Sequence, residues 1–101
     1  AFDKDLNLLY MSRSPLPGSK NSEFSFAFKQ VCIYSFPKEC LSFFADNPYK
    51  TTFEVQEDIE ILRFLENGYG VKLVQLSGSN LAVDTPKDLI KVSTLISKST
   101  V

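Results

Sequence analysis

Histidine is absent from the 101 residues of this chain, and only two cysteines are present. The lack of histidine removes the usual general base and the commonest metal ligand at neutral pH. Cys32 and Cys40 stand eight residues apart with a proline between them, which matches neither a redox CxxC pair nor a zinc ligand set. We expect both to be reduced, buried thiols of a cytoplasmic protein. Any chemistry must rest on carboxylates, lysines, arginines or backbone amides.

Long apolar runs and an excess of one charge are also lacking. The longest apolar runs, such as "VCIY" and "KLVQL", are far shorter than the roughly 20 residues that cross a bilayer. Eleven basic residues are balanced by twelve acidic ones, for a net charge of −1, so no broad positive field attracts a phosphate backbone. The sequence therefore predicts no transmembrane segment, no membrane partner and no nucleic-acid partner.

The composition is that of an ordinary globular domain, with 44% hydrophobic and 23% charged residues. A chain of this length suits a single unit with one core. It begins "AFDKD", without an initiator methionine or a signal-peptide pattern. We therefore expect a piece of a longer protein.

Strand-like and helix-like segments alternate along the chain. Apolar, β-branched and aromatic residues predict strands at Leu6 to Ser12, Phe26 to Phe36, Gly70 to Leu76 and Leu81 to Asp84. The second of these is apolar throughout and is expected to be central in its sheet. "PGSKNSE", from Pro17 to Glu23, predicts a surface loop. Mixed α/β architecture follows.

Three helices are predicted between these strands. One begins at Pro37 and ends at "DNPYK", and the last covers "TPKDLIKVSTLISK". The longest runs from Phe53 to Asn67 and stops at Asn67-Gly68. Its apolar positions at helical spacing are Val55, Ile59, Leu62 and Leu65.

Asp84 stands where the last strand is expected to meet the last helix. Thr85, Pro86 and Asp88 have the spacing of a cap, a first helical residue and a capping box, which leaves Asp84 outside the cap. Ligands of α/β sheets gather beyond the carboxyl ends of strands, and an aspartate there suits Mg²⁺ held against substrate phosphates. The plainer alternative is a favourable charge near a helix start, worth about 0.3–1 kcal/mol.

Several segments, in order, resemble the C-terminal part of the CMP-KDO synthetase (3-deoxy-manno-octulosonate cytidylyltransferase) family. They are "LLYMSRSPLP", "FKQVCIYSF", "EDIEILRFLENGYGVKLV" and "AVDTPKDLIKV". The resemblance implies an enzyme that couples CTP to a 3-deoxy sugar acid with Mg²⁺ assistance and releases pyrophosphate, for cell-surface polysaccharide synthesis. It implies the C-terminal portion of a Rossmann-like sugar nucleotidyltransferase fold, a mixed sheet with flanking helices.

The same resemblance implies that residues 1–101 are a sugar-binding and dimerisation part, and that the CTP-binding part is absent. The family's Pro-Gly-Lys loop is not matched by Pro17-Gly18-Ser19-Lys20, which lacks the preceding strand and arginines. The implied partners are CTP, an acidic sugar and a second copy of the chain. We expect the chain alone to be inactive.

Site roles follow from the resemblance position by position. Asp84 matches a magnesium-holding aspartate, Arg13 an arginine near the sugar acid, Tyr34 a pocket tyrosine and Glu60 a glutamate that faces sugar hydroxyls. Each has a plainer alternative. Arg13 would be a solvated charge, Tyr34 core filler, and Glu60 a partner of Arg63, worth about 0.2–0.5 kcal/mol.

Three positions depart from the family pattern. Gln30 replaces a histidine, Ile61 a glutamine and Thr52 a proline. Gln30 and Ile61 are expected to touch the sugar, and loss of an amide at Ile61 removes hydrogen-bonding capacity. A related acidic sugar, such as an N-acylneuraminate, therefore stays open beside KDO. A non-catalytic dimerisation or binding module with the same fold is the other alternative.

Overall fold

The computed structural model describes residues 1–78 and 81–99. Four helices lie in these ranges: α1 Lys38–Asp46, α2 Thr52–Glu57, α3 Ile61–Glu66 and α4 Pro86–Ser99. No strand forms in the same ranges, where the only β pairing consists of isolated antiparallel bridges, Phe2 with Leu8 and Asn7 with Lys72. The predicted mixed sheet is therefore not found.

Two of the predicted strands nevertheless lie side by side. The Leu8 N–H donates to the Val71 carbonyl at 2.8 Å, and the Leu73 N–H donates to the Leu6 carbonyl at 2.8 Å. This antiparallel pairing covers about three residues on each side. A ribbon of two short strands is marginally stable without a third strand or a packed helix face, so the pairing does not extend into a ladder.

The predicted central strand, Phe26 to Phe36, is wrong for this chain. It has no regular secondary structure, and its one backbone hydrogen bond joins the Ile33 N–H to the nearby Val31 carbonyl at 2.7 Å, as in a tight turn. A strand draws its stability from a neighbour that pairs with it, and no described segment supplies one here. Residues 81–84 likewise form no strand.

The predicted helix from Phe53 to Asn67 is divided into α2 and α3. Asp58 lies in the left-handed region at φ 54°. Its N–H donates to the Glu54 carbonyl at 2.7 Å, which is the last hydrogen bond of α2. The Arg13 side chain donates to the carbonyls of Glu57 and Asp58, which a continuous helix would use for its next turn. The prediction of one helix is wrong because a side chain from a distant segment ends it.

The ends of the other helices agree with the sequence. α1 follows Pro37 and stops at Asn47, whose N–H and side-chain amide both donate to the Phe43 carbonyl. α3 stops at Asn67, and Gly68 follows at φ 82°, a conformation that costs glycine little. The predicted stop signals are confirmed.

The core is small. The buried apolar side chains are Leu8, Ile61, Leu62 and Phe64. Leu8, Ile61 and Phe64 form one cluster, against which pack the partly buried Met11, Cys40, Phe43, Phe44, Ile59, Leu65, Val71 and Leu73. Val55, predicted for the core, is exposed. Both cysteines are free, as predicted, but Cys32 is exposed and Cys40 half-buried. Burial of the thiols was therefore the wrong part of that prediction.

Apolar surface is abundant outside this core. Twenty large apolar or aromatic side chains are exposed within the described ranges, among them Phe24, Phe26, Phe28 and Ile33. The radius of gyration is 16.9 Å, against about 13 Å for a compact domain of this size. Exposed apolar area on this scale is unusual for a soluble monomeric domain. Within the described ranges, no helix combines the length and the apolar character needed to span a membrane.

Candidate functional site

A buried ion pair joins α2 to α3. The Arg63 guanidinium donates from Nε to Glu54 Oε2 at 2.7 Å and from Nη2 to Glu54 Oε1 at 2.6 Å. The Glu54 residue has no exposed surface, and Arg63 is 5% exposed. The hydrogen bonds from Arg63 hold the pKa of Glu54 below its ordinary value, and Glu54 raises the pKa of Arg63. A two-pronged pair fixes orientation as well as distance, so the angle between α2 and α3 is set here.

The same guanidinium also contacts the C-terminal end of α1. Its Nη1 donates to the Asn47 carbonyl at 3.1 Å, and its carbon atom lies 4.0 Å from the centre of the Phe44 ring. The Phe44 ring in turn stacks on Phe64, with ring centres 5.6 Å apart. Every nitrogen of Arg63 therefore has an acceptor, which compensates the cost of burying its charge.

A second cluster fastens the loop that carries Arg13 to the end of α2. Glu57 Oε1 accepts hydrogen bonds from the Tyr10 hydroxyl at 3.0 Å and the Ser12 hydroxyl at 2.9 Å. Glu57 Oε2 accepts from the Arg13 backbone N–H at 2.8 Å. The Arg13 side chain returns to α2, donating from Nε to the Glu57 carbonyl and from Nη2 to the Asp58 carbonyl at 3.1 Å. The Arg13 N–H, with the other donors, lowers the pKa of Glu57.

The structure brings two of the predicted site residues to this turn. Arg13 is bound to the turn between α2 and α3, and Glu60 is the residue on which α3 begins. Asp58, two residues before Glu60 in the chain, forms an ion pair with Lys50, whose Nζ lies 2.5 Å from Asp58 Oδ1. A guanidinium and a carboxylate therefore share one short stretch of surface.

Tyr34 lies within electrostatic range of Glu60. Burial raises the pKa of the Tyr34 hydroxyl, and the nearby Cys32 and Glu60 add to the rise. Tyr34 is 43% exposed. The centre of its ring lies 6.1 Å from that of Phe36, and the Phe36 ring centre lies 5.4 Å from that of Phe64. The alternative that Glu60 pairs with Arg63 is wrong, because the Arg63 guanidinium forms its ion pair with Glu54.

Gln30 and Ile61 are less accessible. Gln30 is half-buried, while Ile61 is 5% exposed and packs with Leu8 and Phe64 in the core cluster. Ile61 follows Glu60 directly, so its backbone lies at the same turn although its side chain faces inward. Contact between either residue and a sugar stays a prediction.

The Asp84 carboxylate takes no part in the helix cap, as predicted, although the Asp84 backbone N–H donates to Asp88 Oδ2 at 3.3 Å. Asp88 Oδ2 accepts from the Thr85 N–H at 2.9 Å and the Thr85 hydroxyl at 2.7 Å, and the Asp88 N–H donates back to Thr85 Oγ1 at 3.3 Å. The Asp84 carboxylate is exposed, and in the described ranges it accepts no hydrogen bond. It does not end a strand, so that part of the prediction is wrong.

Asp84 is not joined to the other candidate residues. Across residues 1–78 and 81–99, no group of three or more acidic, cysteine or histidine side chains is arranged to hold a metal ion. Helix α4 buries none of its residues. Within the described residues, Arg13 and Glu60 therefore meet at one turn, with Tyr34 in electrostatic range of Glu60, and Asp84 has no hydrogen bond or ion pair to any of them.

Two acidic residues that organise the site were not singled out from the sequence. For Glu54 a signal existed: it stands three residues after Thr51, the capping-box spacing, and it accepts the Thr51 N–H at 3.1 Å. For Glu57 no local signal existed, because its partners lie 44 to 47 residues away in the chain.

The chain is similar in sequence to curated proteins named 3-deoxy-manno-octulosonate cytidylyltransferase. The protein of that name from Chloroherpeton thalassium is 39% identical over 97 residues, which cover 95% of this chain and 39% of the relative. The one from Chlorobium luteolum is 38% identical over 98 residues, 96% of this chain and 39% of the relative. The one from Geotalea daltonii is 42% identical over 95 residues, 83% of this chain and 37% of the relative.

No family model matches the chain, and no solved structure matches it significantly. The curated relatives agree with one another in name and in the extent of the match. The chain spans about two fifths of the length of the relatives it matches. The resemblance seen in its motifs is thus confirmed: nearly the whole chain matches the 3-deoxy-manno-octulosonate cytidylyltransferase family, over an extent consistent with a C-terminal part of its members.

Proposed function

We propose that this chain is the sugar-side part of a CTP-dependent cytidylyltransferase that activates KDO or a related acidic sugar. The observation that carries the proposal is the match of 95% of the chain to relatives named for that reaction. The geometry supports it, because the Arg13 guanidinium and Glu60 lie at the turn between α2 and α3, and Glu60 is within electrostatic range of the Tyr34 hydroxyl.

In the proposed reaction a sugar hydroxyl attacks the α-phosphorus of CTP and pyrophosphate leaves. Transfers of this kind depend mostly on positioning and charge stabilisation. Arg13 would bind the sugar carboxylate, since a guanidinium matches a carboxylate in charge and shape. Glu60 and Tyr34 would accept from and donate to sugar hydroxyls, and Gln30 and Ile61 would complete the wall of the site.

Asp84 is proposed as one ligand of Mg²⁺. A single exposed carboxylate that accepts no hydrogen bond from the described part of the chain suits this ion, which is commonly bound through one or two carboxylates together with substrate phosphates and water. When bound, the ion would supply neutralisation of phosphate charge. Asp84 alone does not complete the site, so the second carboxylate would come from the CTP-binding part.

The exposed apolar surface is proposed to be covered in the complete enzyme. Phe26 to Phe36 is rich in aromatic and β-branched residues and pairs with no described segment, as expected of a strand that lacks its neighbours. The CTP-binding part would supply these neighbours, and a second copy of the chain would cover further apolar area to give a homodimer. The chain alone would be inactive.

Mixing the two parts tests this function. The chain would be combined with the N-terminal portion of the relative from Chloroherpeton thalassium, and pyrophosphate release would be followed with CTP, Mg²⁺ and KDO. We expect turnover from the combination and none from either part. An N-acylneuraminate in place of KDO decides the sugar. Association without turnover on either sugar would favour the non-catalytic binding module, and turnover by this chain alone would contradict the assignment of the CTP site.

A further inference from the structure

We propose that Glu57 is a positioning residue of the sugar-side site, and that it fixes Arg13 relative to Glu60. This inference rests on the proposed function, since it concerns how the same site is held together. In this proposal Glu57 does not touch the sugar; it acts through Arg13. Its carboxylate gathers Tyr10, Ser12 and the Arg13 backbone at 2.8 to 3.0 Å.

The Arg13 guanidinium is oriented before any ligand arrives. Its Nε donates to the Glu57 carbonyl and its Nη2 to the Asp58 carbonyl, so both contacts fall on consecutive residues at the end of α2. A planar guanidinium bound at two of its nitrogens cannot rotate freely. Its remaining nitrogen, Nη1, has no acceptor among residues 1–78 and 81–99, so it can meet a carboxylate from a fixed direction.

The Glu57 carboxylate holds the backbone of the loop that carries Arg13. The loop that carries Arg13 has no regular secondary structure, so its position depends on side-chain contacts. Three hydrogen bonds to one carboxylate hold the loop on α2, and Glu60 follows only three residues after Glu57. Groups that must bind one small molecule need such second contacts to keep their spacing.

Hydrogen exchange in the full chain tests the contact directly. Glu57→Ala removes the acceptor of the Arg13 N–H, and we expect exchange of that amide to rise roughly ten-fold. Gln56→Ala, a change on the exposed neighbour in α2, is the matched control and should leave the Arg13 amide unchanged. If Glu57→Ala loses its helical signal, Glu57→Gln, which keeps one acceptor oxygen, replaces it with a smaller expected rise. An Arg13 amide unaffected by a folded variant overturns the proposal.

Kinetics of the combined enzyme test the consequence. Glu57→Ala or Glu57→Gln should raise KM for the sugar about ten-fold or more while KM for CTP stays within about twofold, because only sugar-binding groups are displaced. Equal loss for both substrates, or no change in KM for the sugar, overturns the positioning role. If the unmodified combination does not turn over, the proposed function fails, and the exchange measurement still decides whether Glu57 holds Arg13.

Discussion

Arg63 and Glu54 form a two-pronged ion pair, at 2.7 and 2.6 Å, in which neither side chain has appreciable contact with solvent. The pair crosses the break between α2 and α3 and so replaces the continuous backbone that a single helix would have provided. Few apolar side chains are fully buried around it. The local structure therefore depends on this pair more than a domain with a large core would.

Removing one partner should unfold the region around the pair. Glu54→Gln leaves the Arg63 charge buried without its counter-charge, which costs about 3–5 kcal/mol in comparable buried pairs. Urea unfolding followed by far-UV circular dichroism should show a large loss of stability. Glu39→Gln, at an exposed position of α1, is the matched control and should change little. Equal stability of Glu54→Gln and the unmodified chain would show that the pair contributes nothing.

The pH dependence of stability should reflect the same carboxylate. The pKa of Glu54 is lowered in the folded chain from an ordinary value of 4.5, chiefly by hydrogen bonds from Arg63. A lowered native pKa gives stability that is present above the unfolded pKa and is lost as pH falls through the native pKa. The stability difference between the unmodified chain and Glu54→Gln should therefore shrink below pH 4.5. A difference that stays constant between neutral and strongly acidic pH would contradict this.

Substitutions of Asp84 and Thr85 should have opposite effects on turnover and on stability at the start of α4. Thr85→Ala removes the cap and should cost about 0.5–2 kcal/mol of helix stability. Asp84→Asn should leave melting nearly unchanged but lower turnover of the combined enzyme by roughly 100-fold or more, because metal ions supply several kcal/mol of charge stabilisation. Turnover against Mg²⁺ concentration, measured beside melting temperature, checks both. Large destabilisation with normal turnover would make Asp84 a structural residue.

Gln30 is the better of two positions for testing sugar choice. Ile61→Gln would place an amide in the core, where an uncompensated polar group costs about 1–3 kcal/mol, whereas Gln30 is only half-buried. Gln30→His in the combined enzyme should change the ratio of kcat/KM for KDO and an N-acylneuraminate, with KM for CTP unchanged. An unaltered sugar ratio together with weaker CTP binding would place Gln30 on the nucleotide side instead.

Association of the chain with itself is the expected result of its exposed apolar surface. Sedimentation velocity at micromolar concentration should show a species heavier than the 11.4 kDa monomer. Ile33→Ser, at a side chain that is 79% exposed, should weaken this association. A clean monomer at all concentrations would argue against a dimer built on this surface.

The sequence by itself determined the features whose causes are local. The ends of α1, α3 and α4 follow from Pro37, Gly68 and the Thr85 to Asp88 capping box, because caps act within one turn of the helix they end. The family resemblance was also predicted from the sequence, and the match to the curated relatives confirms it.

Tertiary structure alone decided the features that depend on distant partners. The Arg13 side chain ends α2 although it lies 44 residues away in the chain. Arg63 forms its ion pair with Glu54, although Glu60 is closer to it in the sequence. Neither choice has a periodicity or a spacing that marks it beforehand. The segment from Phe26 to Phe36 has every local property of a strand yet forms none, because a strand is completed by hydrogen bonds to a neighbour and its own residues cannot supply them.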